Sequence, residues 1–140
     1  MTTITNRFTI LQEHLFSIFA SSAWIAEQLD IIPKGYIGKK PTDEYIEFNP
    51  IVAGTGVKDS MNGILYIKIY TRLESGPRRA SEIADILDKY LSGKSFKNEE
   101  FCVTQFQRST NFVIRGESHD SKAFILSDYQ IQFGFFRKES

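Results

Sequence analysis

Apolar positions recur along this chain with two periods, and the change from one to the other divides it. In NRFTILQEHLFSIFASSAW, Phe8, Leu11, Leu15, Ile18 and Phe19 fall three and four residues apart, the spacing of one face of a helix. Thr5 or Asn6 stands where a helix cap belongs. The polar side of this stripe lacks the lysine and arginine that an anionic membrane favours, so the helix is expected to pack on a sheet. From residue 25 to 42, Pro33, Gly35, Gly38 and Pro41 interrupt any regular period, which predicts a loop. Its Lys34, Lys39 and Lys40 read as a solvated basic face.

Beyond that loop the period falls to two. DEYIEFNPIV alternates Ile46 and Phe48 with Tyr45 and Glu47, a half-buried strand that should end near Pro50. GTGVKDSMNG reads as a hairpin connection. Its Gly54, Gly56 and Gly63 precede a strand instead of opening a helix, so they lack the setting of a dinucleotide-binding turn. Over residues 64 to 73, Leu65, Ile67, Ile69 and Leu73 share one face, the expected core face. Ile64, Tyr66, Lys68, Tyr70 and Arg72 share the other. Aromatic bodies with cationic tips are enriched where proteins meet, which makes Tyr66, Lys68, Tyr70 and Arg72 candidates for a subunit or partner interface.

The helix after that strand carries a stripe of Ala80, Ile83, Ala84, Leu87 and Leu91, with Glu82, Asp85, Asp88 and Lys89 off it and Gly93 as its stop. The junction ESGPRRAS invites comparison with a phosphate loop. It has one glycine, a proline without an N–H, and no Gly-Lys-Ser/Thr ending, whereas a phosphate cradle needs several converging backbone N–H groups. Gly76 and Pro77 are accounted for by the bend and the first helical turn. Arg78 and Arg79 gain nothing from a helix N-terminus, which favours anions. They are therefore assigned to an acidic neighbour or to solvent, and join the interface candidates.

The remainder is strand. EEFCVTQFQRSTNFVIRGES alternates Phe106, Phe112 and Ile114 with Gln105, Gln107, Asn111 and Arg115. KAFILSDYQIQFGFFRK alternates Ile125, Tyr129, Ile131, Phe133 and Phe135 with Asp128, Gln130 and Gln132. With GESHDSK as the turn, the pair forms a long antiparallel hairpin. The fold class is thus α+β. A mostly antiparallel sheet is expected, with the N-terminal helix and the helix after the long central strand packed on one face.

Composition narrows the function. At 140 residues the chain is read as one domain spanning 1–140. Seventeen lysines and arginines against 17 aspartates and glutamates give no broad basic field, so neither sequence-specific nucleic acid nor a membrane is expected as a partner. The single Cys102 rules out an internal disulfide and a cysteine metal cluster, and fits a reducing cytoplasm. There is no run of 18 apolar residues and no basic-then-apolar leader, which reads as an untargeted soluble protein. His119 lies beside Glu117, Ser118 and Asp120, but neighbours on one turn diverge, and neither a triad nor a metal site follows from adjacency. His14 reads as an ordinary helix residue and Cys102 as a small core residue. No catalytic residue, metal or cofactor is expected.

The order of elements carries a family likeness. An N-terminal helix, a loop-rich passage, Gly63 before the long ILYIKIYTRL strand, the turn at Gly76, the RRASEIADILDKYLSGK helix with Ile83, Ala84 and Leu87, and two long final strands resemble the tail terminator, or tail completion, proteins of long-tailed bacteriophages. The likeness runs from Arg7 to Arg137. It implies a non-enzymatic, cofactor-free subunit of a hexameric ring, assembled in the host cytoplasm and lying at the head-proximal end of the virion tail. Its partners would be further copies of itself, the tail tube protein and a head completion or connector protein. Another ring component of the neck or tail, and a small ligand-binding or enzyme domain built on the ESGPRR turn, stand as alternatives.

Overall fold

One six-stranded sheet and the helices on one of its sides account for most of the apolar periodicity. The computed structural model describes residues 7–33, 44–53, 60–97, 102–117 and 124–137. In chain order these form α1 (Arg7–Ala20), α2 (Ser22–Ile25), β1 (Asp30–Pro33), β2 (Tyr45–Ala53), β3 (Ser60–Arg72), a 3-10 turn (Leu73–Ser75), α3 (Gly76–Leu91), β4 (Ser95–Lys97), β5 (Cys102–Glu117) and β6 (Phe124–Arg137). The strands lie in the order β1-β2-β3-β6-β5-β4. Among the described strands only β1 runs parallel to its neighbour; every other pairing is antiparallel. The fold is α+β with a mostly antiparallel sheet.

The core is where the two periods meet. Leu11, Leu15, Ile18 and Phe19 of α1 and Ile83, Ala84, Leu87 and Leu91 of α3 belong to one buried cluster. Ile46, Phe48, Leu65, Ile67, Ile69, Phe106, Tyr129, Ile131, Phe133 and Phe135 of the sheet complete it. Both long helices therefore cover the same face. Each large side chain buried there contributes about 1.5–3 kcal/mol. A polar staple crosses the boundary: the Tyr129 hydroxyl donates to Asp88 Oδ1 at 2.6 Å, and Thr110 Oγ1 donates to the same oxygen at 3.0 Å. Burial, then the Asp88 carboxylate, pushes the Tyr129 hydroxyl far above its ordinary pKa, so it stays a donor. At the ends of α3, Gly76 and Gly93 hold φ of 65° and 70°, left-handed conformations in which a side chain is strained. Pro77 occupies the first helical turn, where its missing N–H has no partner to lose.

Several expectations are corrected. The stretch 25–42 is not all loop, because Asp30–Pro33 forms β1 parallel to Tyr45–Phe48. Three apolar or proline residues after an aspartate are too short a run to show a period. Pro33 is tolerated at the end of an edge strand, where no ladder donor is required. For the same reason β2 does not stop at Pro50 but pairs with β3 through Ala53, beyond the reach of β1. Leu73 leaves the strand face for the 3-10 turn and is 39% exposed. Ile114, expected in the core with Phe106, is 40% exposed. The register shift between Phe106 and Thr110 adds two residues and keeps the alternation in phase, so Ile114 still lies opposite the buried Ser127 on the core face, close to the second shift before Gly116. The short β4 was not anticipated. The proposed caps Thr5 and Asn6, the lysines 34, 39 and 40, and His119 with Ser118 and Asp120 lie outside the described residues, whereas Glu117 ends β5.

Candidate functional site

The sheet face turned away from the core carries most of the candidate interface residues, and strand register orders it into rows. Glu47, Lys68 and Asp128 lie side by side on β2, β3 and β6, and Arg115 Nε of β5 bonds Asp128 Oδ2 at 2.6 Å. Charge therefore alternates in sign across four strands. The next outward-facing row is Asn49, Tyr66, Gln130 and Asn111, amides flanking one phenol. Beyond it Ile64 sits opposite Gln132, and a shallow polar hollow beside the first β5 irregularity is lined by Gln107, Ser109, Asn111, Gln130, Ile131 and Gln132. Here Tyr66 is half-buried and Lys68 exposed.

At the other end the same face closes over itself. Tyr70 stacks on Tyr45 with ring centroids 4.5 Å apart and an interplanar angle of 13°, and Phe124 meets Tyr45 edge-on at 5.8 Å. With Ile32 they form a second buried cluster, packed by Leu126. Tyr70 is consequently 3% exposed and is not a surface contact of the folded chain. The sequence shows its face but not that Tyr45 stands directly across from it.

The turn and helix start divide the arginines. Arg72 lies 3.5 Å from Glu74 with its side chain 46% exposed. Arg78, at 91% side-chain exposure, makes a 3.4 Å pair with Glu82 one turn on, an exposed contact worth a few tenths of a kcal/mol. Arg79 is different: its Nε donates to Glu44 Oε1 at 2.8 Å and its Nη1 lies 3.4 Å from Glu82. The hydrogen bond to Glu44 raises the Arg79 pKa. This corrects the assignment of Arg79 to an outside partner or solvent, since it ties the first turn of α3 to the residue before β2. The structure brings Tyr66, Lys68 and Arg72 onto one strand face and leaves Arg78 on the adjoining turn.

One polar residue was underrated by sequence reasoning. His14 is buried at 6% exposure; its Nδ1 lies 2.7 Å from Thr104 Oγ1, while Nε2 has no partner and the ring leans on Phe135. Burial lowers its pKa, partly offset by Glu13. The signal was present in the spacing, for position 14 falls three after Leu11 and four before Ile18. Cys102 is fully buried, as expected. Among the described residues no group of three or more histidine, cysteine, aspartate or glutamate side chains could hold a metal ion, and no helix is long and apolar enough to cross a membrane.

No protein-family model matches the sequence, and no curated protein does. Among solved structures, a chain that carries no functional description superposes over 93% of this chain and 93% of its own, with a TM-score of 0.64 and 12% identity. At that identity the likeness is one of fold.

Proposed function

We propose that this protein is a structural subunit of a long-tailed phage particle, a tail terminator whose copies form a ring on the tail tube and offer a docking surface to the head. The observation that carries the reading is the sheet face that neither long helix covers. Both long helices are spent on the inner side, which leaves Tyr66, Lys68, Arg72, Gln130 and Asn111 on a broad, rigid, polar and aromatic surface. Its chemistry is that of protein contacts, with amides and a phenol to form hydrogen bonds and alternating charges to set register. The order of elements, which resembles the tail terminators, supports the same assignment. The ESGPRR turn favours it over a ligand site, because Arg79 is engaged by Glu44.

A complementation assay for tail completion tests the reading with Tyr66→Ala and Arg78→Glu. Arg78→Glu replaces the exposed pair with Glu82 by a like-charge pair but puts an anion at a helix N-terminus, which the dipole favours, so stability changes by no more than about 0.5 kcal/mol. Tails that fail to join heads, from protein with an unchanged melting curve, are the expected result. Normal joining by the double variant would remove this face and turn from the mechanism.

A further inference from the structure

The charged row on the outer face of the sheet matches its own reverse. Across β2, β3 and β6 it reads Glu47, Lys68, Asp128, and Arg115 of β5 closes it with its Nε 2.6 Å from Asp128 Oδ2. Its signs run minus, plus, minus, plus, so exchanging the two ends and the two middle members sets every charge on an opposite one. The next row reads Asn49, Tyr66, Gln130, Asn111, and the same exchange sets amide on amide and phenol on amide. Lys68 and Asn111 are exposed, Glu47, Asn49, Tyr66 and Gln130 are half-buried, and the Arg115 side chain is 57% exposed. This part of the face is therefore open to solvent.

We propose that two copies of this chain pair outer face to outer face, about a two-fold axis that runs along the strands between β3 and β6. Lys68 then faces Asp128 of the second copy, and Glu47 faces its Arg115. Stacked sheets keep their strands within about 30° of each other, which allows a two-fold either along the strands or across them. An axis across the strands and over the charged row sets Lys68 on Lys68 and Asp128 on Asp128, and like charges brought together oppose association. Moved by one row, that axis leaves each charge facing an amide or the phenol. The axis along the strands exchanges β3 with β6 and β2 with β5, and each opposite-charge contact occurs twice by symmetry. Arg115 keeps Asp128 of its own chain, since a guanidinium has donors to spare after one bond. Strands about 4.8 Å apart and rows about 7 Å apart make a small patch, below the roughly 800 Å² per partner of a standard interface. The pairing is accordingly weak, fills at high concentration, and weakens further as salt screens its charges.

This contact goes beyond the ring reading and does not rest on it; a chain paired in this way has its proposed docking face covered. Sedimentation of the wild-type chain, of Lys68→Glu, of Asp128→Lys and of an equal mixture of the two variants tests it, with a melting curve for each. Alone, Lys68→Glu sets an anion against Asp128 and Asp128→Lys sets a cation against Lys68, so each should self-associate at least about tenfold more weakly than wild type. In the mixture the introduced glutamate faces the introduced lysine and Asp128 faces Lys68, so heterodimers should form about as well as wild-type dimers. Glu47→Lys mixed with Arg115→Glu supplies a second pair with the same logic should Asp128→Lys fold poorly. A wild-type chain that stays monomeric up to about 1 mM, variants that self-associate as well as wild type, or mixtures no tighter than their parts would overturn the proposal. So would Lys68→Glu pairing more tightly with the wild-type chain than wild type does with itself, which would place Lys68 against Lys68. Rings that form equally well in wild type and in both variants would overturn it while leaving the ring reading intact.

Discussion

The two faces of the sheet are made by the same strands, yet one is continuous and the other is divided. On the inner face Leu65, Ile67, Ile69, Ile131, Phe133 and Phe135 are at most 2% exposed, and every row adds to one cluster. On the outer face three chemistries follow one another: the aromatic closure at Tyr45, Tyr70 and Phe124, the charged row through Lys68, and the amide row through Tyr66. Period-two patterning distinguishes the faces but not these divisions, which depend on which strands lie side by side. Stability belongs to the first face, and the proposed recognition to the part of the second that the described side chains leave open.

Substitutions on the inner face should break the comparison most strongly. Phe133→Ala removes a side chain that is 2% exposed and should cost about 3–5 kcal/mol in denaturant unfolding, against less than about 0.5 kcal/mol for an exposed position such as Lys68→Gln. If both cost the same, the division of labour fails. Next comes the staple beneath β6. Tyr129→Phe leaves Asp88 with Thr110 alone, and losing a hydrogen bond to a charged group should cost about 1.5–3 kcal/mol in the same assay.

The buried histidine supplies a pH test of the inner face. Because burial lowers the His14 pKa in the fold, the unfolded chain takes up its proton first as pH falls. His14 therefore contributes stability above its ordinary value of 6.5, and that contribution declines as pH drops below 6.5 towards the lower value in the fold. Melting curves from about pH 7.5 to pH 5 should decline less steeply in His14→Leu than in the wild-type chain; parallel curves would show that His14 is not held neutral. The smallest effect separates the two arginines. Arg79→Ala should cost about 1 kcal/mol, as the bond to Glu44 at 2.8 Å is partly sheltered, and Arg78→Ala no more than about 0.5 kcal/mol.

The legibility of this chain follows the physics of each element. The α1 and α3 stripes and the inner faces of β3 and β6 were visible because burial repeats at 3.6 or 2 residues and leaves its period in the sequence. β1 and β4 were not, since runs of four and three residues hold no period, and their pairing is decided by longer strands beside them. Ile114 keeps the face that alternation gave it, opposite Ser127, but is 40% exposed, because alternation marks a face and not how far along a strand that face is covered. Of the nominated residues, Tyr66, Lys68, Arg72 and Arg78 are half-buried or exposed, as face and charge led one to expect. The burial of Tyr70 and the internal bond of Arg79 depend on Tyr45 and Glu44, which reach them from another part of the chain.

The most direct test of the central claim, that copies of this chain assemble through the open side of the sheet, is negative-stain imaging of the purified protein at high concentration and of purified tails. The account predicts closed rings of uniform diameter in the first sample and one such ring at the head-proximal end of each tail in the second. Single copies in both samples, from protein that melts cooperatively, would contradict it.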